Sequence, residues 1–229
     1  LKDEGNFDAA IEAYNKAIQE APEEGRIRNN LGLAYTGKKD FDSAIAEYYR
    51  GIALSPEWGT LHYNLANILT KKGRHEEARH EYQLAIMLDP EDEAFYYNYA
   101  VLLTEHLHDY NAAIAAARKA LELDPEYSYA RYGLGLTLSR NGEIDEAIEV
   151  FREIIEKEPS NLAVYNDLGL ALSKKGDEDG AIECYLKIND KTPEFYKALN
   201  NLGYSYLEKG LNQEALAAFQ RSILINPLW

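Results

Sequence analysis

A fixed period of 34 residues constrains this chain more than any other feature of it. Its seven prolines are Pro22, Pro56, Pro90, Pro125, Pro159, Pro193 and Pro227, spaced by 34, 34, 35, 34, 34 and 34 residues. An alanine precedes each by twelve residues: Ala10, Ala44, Ala78, Ala113, Ala147, Ala181 and Ala215. A period of this size marks a repeat array, in which every unit packs on its neighbours and no central core is needed. With the proline at position 32, residues 1–24 are the second half of one repeat. Six full repeats follow at 25–58, 59–92, 93–127, 128–161, 162–195 and 196–229, and the chain 1–229 reads as a single array.

Inside each repeat the apolar residues fall at helical spacing. Position 7 holds Leu31, Leu65, Tyr99, Leu134, Leu168 and Leu202, and position 11 holds Tyr35, Leu69, Leu103, Leu138, Leu172 and Tyr206. Position 8 is always small: Gly32, Ala66, Ala100, Gly135, Gly169 and Gly203. Glycine at position 15 (Gly5, Gly73, Gly142, Gly176, Gly210) suits a helix that stops in the left-handed conformation. A second stripe starts at the alanine of position 20 and carries a ring at position 24, as in Tyr48, Tyr82, Phe151, Tyr185 and Phe219. Proline then closes this second helix, because it disfavours helical geometry in the residue before it. Each repeat is predicted as helix, tight turn, helix, stop, and the fold as all-α.

Three positions depart from the pattern. Lys39 stands at the turn-glycine position, at a cost of about 1 kcal/mol if the left-handed geometry is kept. The repeat at 93–127 has one extra residue near Glu105-His106-Leu107-His108, which predicts a longer first helix with a local irregularity. Its position 24 is Ala117, so a ring is missing there unless a neighbour such as Tyr110 takes its place.

This pattern resembles the tetratricopeptide repeat family: Leu65-Ala66, Leu69, Gly73, Ala78, Tyr82, Ala85 and Pro90 match its signature positions. The resemblance covers the whole chain. It implies a right-handed superhelical solenoid of antiparallel helix pairs, with first helices on the concave face and second helices on the convex one.

Charge and composition narrow the function. A formal net charge of −15 disfavours nucleic acid and anionic membrane as ligands, since both need a basic surface. The single cysteine, Cys184, rules out an internal disulfide. No apolar run reaches membrane-spanning length and no signal-peptide pattern is visible, which makes the cytoplasm the expected compartment. The chain opens at Leu1 in mid-repeat, so a preceding stretch is expected to be missing. His62, His75, His80, His106 and His108 form no H-E-x-x-H, and His106-x-His108 lacks a third ligand. Gly133-Leu134-Gly135 lies inside a helical stripe, not in a phosphate loop. The expectation is a non-enzyme without cofactor or metal.

Functional information must then sit in residues the fold does not require, at positions 2, 5, 6, 9, 12 and 13 of the first helices. Position 6 carries Asn30, Asn64, Asn98 and Asn201, interrupted by Gly133 and Asp167, with Asn29, Asn67, Asn166 and Asn200 nearby. A carboxamide both donates and accepts, so a row of them can pair with the backbone of a bound peptide. The row is similar to the asparagine ladder of the O-linked N-acetylglucosamine transferase repeats, which implies peptide contacts for those four residues. Asparagine is also common at this position across the family, so an architectural role stays open. Around the amides lie Leu33, Tyr63, Tyr97, Val101, Tyr129, Tyr132, Leu136, Leu170, Tyr204 and Leu207, a tyrosine-rich set suited to recognition. Lys71, Arg140 and Lys174 add positive charge along the same helices. Relatives that clamp a chaperone's C-terminal carboxylate carry a set of cations that no three consecutive repeats supply here. The expected partner is another protein, bound through an extended or helical segment. Two alternatives are the recruiting arm of a larger enzyme such as a glycosyltransferase, and self-assembly through uncapped ends around Ala9 and Ala13, or Leu216 and Ile223.

Overall fold

The computed structural model describes residues 6–192 and 195–227. Gly5, Pro193 and Trp229, which belong to the repeat pattern, lie outside the described residues. The chain divides into two compact units, Leu1–Glu126 and Tyr127–Trp229. The described residues hold thirteen α-helices and no strand.

The first unit contains α1 (Phe7–Glu20), α2 (Gly25–Gly37), α3 (Phe41–Leu54), α4 (Gly59–Lys71), α5 (His75–Leu88), α6 (Glu93–Leu102) and α7 (Tyr110–Leu123). Within each repeat the two helices pair, α2 with α3, α4 with α5 and α6 with α7, and α1, α3 and α5 pack on α2, α4 and α6 in turn. The second unit contains α8 (Ser128–Asn141), α9 (Ile144–Lys157), α10 (Leu162–Lys175), α11 (Glu178–Lys187), α12 (Phe195–Glu208) and α13 (Asn212–Ile225), paired the same way. Second helices start on short polar caps: Asn6, Asp40, Asp109 and Asp177 accept the backbone N–H three residues on, satisfying a donor that the first turn leaves open. The fold class is the all-α solenoid of paired helices that the repeat pattern predicts.

The small residue of position 8 is explained by the ring of position 24. A Cβ on Gly32 would stand 2.5 Å from Tyr48 Cε1, and one on Gly135 would stand 2.6 Å from Phe151 Cε1. The ring of the second helix lies directly on the backbone of the first, and both rings are fully buried. Burying a ring of this size dominates the energetics of such a pair.

Two of the three departures have a structural answer, while Tyr110, the candidate for the ring that Ala117 lacks, faces His108 instead. Lys39 keeps the left-handed turn, at φ 64°, where Gly73, Gly142, Gly176 and Gly210 adopt φ between 73° and 89°. The extra residue in 93–127 is absorbed as a π-helical turn, Leu103–Leu107, which prolongs α6 and ends at left-handed His108 (φ 54°). One inserted residue widens a single helical turn here, so the helix pairing of the repeat survives. Tyr110 turns to this corner, its ring 6.1 Å from that of His108. One further difference was not anticipated. α11 ends at Lys187, well short of the proline that closes the pattern, and Ile188 is extended. Asn189 and Asp190 explain the stop: the Asn189 side chain accepts from Lys191 N at 3.0 Å, closing an Asx turn that competes with the helix.

Candidate functional site

The position-6 residues are tied to the preceding repeat by a recurring hydrogen bond. In the first unit, Asn64 Nδ2 on α4 donates to Asn29 Oδ1 on α2 at 2.8 Å. Asn98 Nδ2 on α6 donates to the Tyr63 hydroxyl on α4 at 3.0 Å, and also to Ala94 O at 2.9 Å. In the second unit, the Tyr132 hydroxyl on α8 donates to Asp167 Oδ2 on α10 at 2.6 Å. Asn201 Nδ2 on α12 donates to Asn166 Oδ1 on α10 at 3.0 Å. Every rung joins position 6 of one repeat to position 5 of the one before, 35 residues back. Asn64, Asn98 and Asn201 thus spend donors on the chain itself, while their Oδ1 atoms accept no hydrogen bond among the described residues.

The other expected site residues fall into two groups. Tyr63, Tyr97, Tyr132 and Leu136 are half-buried. Tyr63 stacks on Phe95 at 4.7 Å and meets Tyr82 edge-on, and Asn67 Oδ1 accepts from the Tyr82 hydroxyl at 2.6 Å. Asn30, Lys71, Tyr129, Arg140 and Lys174 are exposed. Lys174 Nζ reaches back to Ser139 Oγ at 3.2 Å, and Tyr129 leaves 66% of its surface open. His106 and His108 diverge: the His106 ring stacks on His75 at 4.3 Å, while His108 faces Tyr110. Among the described residues no group of three or more His, Cys, Asp or Glu could hold a metal. No described helix is long and apolar enough to cross a membrane.

Sequence reasoning missed one feature of the second unit. A cavity of about 160 Å³ is bounded by Tyr132, by Leu162, Ala163, Asn166 and Asp167 of α10, by Ile188 and Thr192 after the early end of α11, and by Phe195, Lys197 and Ala198 of α12. Burial pushes the Asp167 carboxyl above the ordinary carboxylate range, while the hydrogen bonds from Tyr132 and Asn166 pull it back. The Tyr132 hydroxyl is pushed up by its burial and by the carboxylate beside it. Thr192 Oγ1 is buried and has no hydrogen-bond partner among the described residues. The signal in the sequence was a carboxylate in a column of amides. In the first unit an apolar hollow of about 420 Å³ lies among Ile86 and Met87 of α5, Tyr96 and Tyr99 of α6 and the alanines of α7.

Comparison with known proteins agrees with this architecture. Tetratricopeptide repeat models match residues 1–58 and 166–227, residues 59–92, and residues 106–168. No curated protein sequence matches the chain. Among solved structures, YrrB, described as a TPR protein with an unusual peptide-binding site, is 25% identical with a TM-score of 0.73, over 82% of this chain and 97% of its own. MamA from Desulfovibrio magneticus RS-1 is 24% identical with a TM-score of 0.69, over 74% of this chain and 95% of its own. A tetratricopeptide repeat protein from Parabacteroides merdae is 20% identical with a TM-score of 0.72, over 98% and 88%. The last two likenesses are of fold alone. Repeat models that together span most of the sequence, laid over helix pairs closed by the same small-residue and ring contacts, establish that the chain belongs to the tetratricopeptide repeat family.

Proposed function

We propose that this chain is a non-enzymatic protein-interaction scaffold that holds an extended or helical segment of a partner protein against its first helices. The observation that carries this reading is what the first helices leave uncovered. Val101, Tyr129, Leu170, Tyr204 and Leu207 are all exposed, Tyr129 at 66% and Tyr204 at 59%, although the fold has no need of an apolar residue at those positions. Single exposed apolar residues are ordinary, but the four on α8, α10 and α12 of the second unit, beside the rungs at Asp167 and Asn201, recur on one kind of helix and suit recognition. In this reading the open Oδ1 atoms of Asn64 and Asn98 in the first unit, and of Asn201 in the second, each accept from backbone N–H groups of a bound segment, so that the amides of either unit read main chain while Tyr63 and Tyr97 of the first, and Tyr129, Tyr132 and Leu136 of the second, read side chains. Lys71, Arg140 and Lys174 sit within reach of acidic groups on that segment. A helix face already held in register by its own rungs has little ordering left to lose on binding. The likeness to YrrB, whose description names a peptide-binding site, supports the same class of ligand.

The test is selection of linear peptides from a random display library on the intact chain, followed by affinities for Tyr129→Ala, Tyr204→Ala and Met87→Ala. Met87→Ala should hold stability within about 0.5 kcal/mol, while Tyr129→Ala and Tyr204→Ala, which lose ring contacts with Tyr127 and Phe219, should cost about 1 kcal/mol and stay folded. The reading expects the first or second substitution to weaken the selected peptides at least ten-fold and Met87→Ala to leave them unchanged. Equal effects from all three would set it aside. A second reading is self-association through α13, on which Leu216, Ile223 and Leu224 are 58%, 56% and 82% exposed. Sedimentation over a concentration series checks it, and a monomer throughout would exclude it.

A further inference from the structure

We infer that the cavity between α8, α10 and α12 is a receptor for one basic side chain, lysine or arginine, of a partner polypeptide, with Asp167 as its counter-ion. The inference rests on the scaffold reading above and names the chemistry of one contact within it. Four observations carry it. Asp167 is the carboxylate in a column that elsewhere places an amide, or in one case glycine, and it lines a cavity. Its hydrogen bonds come from the Tyr132 hydroxyl at 2.6 Å and Asn166 Nδ2 at 3.4 Å, two neutral donors that fix its orientation without cancelling its charge. No cation among the described residues contributes to its environment: burial, Tyr132 and Asn166 are the influences on it, although Lys197 borders the same cavity. A carboxylate partly drawn out of water without a cationic partner is costly to the fold, and a cation entering the cavity would offset that cost. Finally, the buried Thr192 hydroxyl has no hydrogen-bond partner among the described residues, which leaves a polar atom in the wall available to a second N–H of the entering group.

The walls suit the rest of such a side chain. Leu162, Ile188, Phe195 and Ala198 offer apolar surface to the methylenes of lysine or arginine, which bury their stems while the charged head finds a partner. The volume, about 160 Å³, is of the order of a single long side chain rather than of a folded element. The chain's net charge of −15 adds a long-range attraction for a basic segment.

The experiment uses the intact chain and its Asp167→Asn variant, which places at residue 167 the amide that sibling repeats already carry. A random library of linear peptides is panned on both, and enrichment is read residue by residue. In parallel, the wild-type chain is titrated by NMR with Nα-acetyl-lysine methylamide and with its uncharged norleucine analogue. Selected peptides should carry lysine or arginine at one position, with that preference falling at least ten-fold on Asp167→Asn. The lysine probe should shift the resonances of Tyr132, Asn166 and Thr192 where norleucine does not. Peptides recovered on both proteins with the same basic content would overturn the counter-ion role and leave the scaffold standing. No peptide on either protein, with no difference between the two probes, would overturn both. If the lysine probe binds the cavity and no peptide is selected, the cavity takes a basic group but not one carried by a partner polypeptide, and the inference falls together with the scaffold reading. A circular-dichroism melt of Asp167→Asn confirms that any loss belongs to the site.

Discussion

Alanine at Asn64 separates an architectural amide from a ligand-binding one, and the structure sets the size of the effect. Asn64 Nδ2 is the donor to Asn29 Oδ1 at 2.8 Å, and Asn29 is only 5% exposed. Removing that donor leaves a buried carbonyl oxygen without a partner in the seam between α2 and α4, a loss of about 1–3 kcal/mol. Asn30, one residue along from Asn29, is exposed and makes no hydrogen bond among the described residues, so Asn30→Ala should stay within about 0.5 kcal/mol of wild type. Trp58 packs against the core of this region and provides the probe. In a Trp229→Phe background its fluorescence follows urea unfolding of the first unit alone. The double variant Asn29→Ala with Asn64→Ala should recover part of the loss, giving a coupling of about 0.5–1.5 kcal/mol. If Asn64→Ala is as stable as Asn30→Ala and its only consequence is weaker peptide binding, the rung is not structural and the reasoning fails.

Four further outcomes follow from particular contacts. Lys39→Gly relieves the left-handed strain at φ 64° and should raise stability by about 0.5–1 kcal/mol after the added freedom of the unfolded chain is set against it; a lower urea midpoint would refute this. Gly135→Ala places a methyl 2.6 Å from a fully buried Phe151 ring and should cost about 1–3 kcal/mol, read as a lowered melting temperature. Because burial raises the Asp167 carboxyl above its unfolded value, the folded chain holds that proton more tightly, and stability falls as pH rises through the interval between the two. Asp167→Asn should therefore be more stable than wild type at pH 7, with the gap closing below about pH 4, where the unfolded carboxyl is protonated too. Burial pushes the Cys184 thiol up to about 11, so a chromogenic disulfide reagent at neutral pH should label it only as fast as the chain unfolds.

Much of the fold was legible because a repeat states each rule several times. The column of small residues at position 8 announced a close approach, and the structure supplies its partner, the position-24 ring. The extra residue near Glu105 announced an irregular helix, which is the π-helical turn at Leu103–Leu107. The early end of α11 was less visible, since the prolines keep their spacing and only Asn189 and Asp190 betray the turn. The site was read in part. The recurring asparagines stood out, yet their partners are 35 residues back in sequence, and nothing local says that Asn64 answers Asn29 or that Asn98 answers Tyr63. The same holds for the exposed ion pairs at a spacing of 30, Lys38 with Asp8, Lys72 with Asp42 and Lys175 with Asp145, which link the turns of successive repeats and individually contribute little. Asp167 was noted as a gap in the ladder, because a column of amides makes a carboxylate look like a missing rung. Only the cavity beside it gives that carboxylate a reading other than a missing rung.

The most direct test of the scaffold is a crystal structure of the chain with a display-selected peptide. The account predicts peptide density along the first helices, its backbone N–H groups on the open oxygens of Asn64 and Asn98 or a basic side chain on Asp167. Density over the second helices, seated in the apolar hollow between Met87 and α7, with the tyrosines and amides of the first helices untouched, would contradict it.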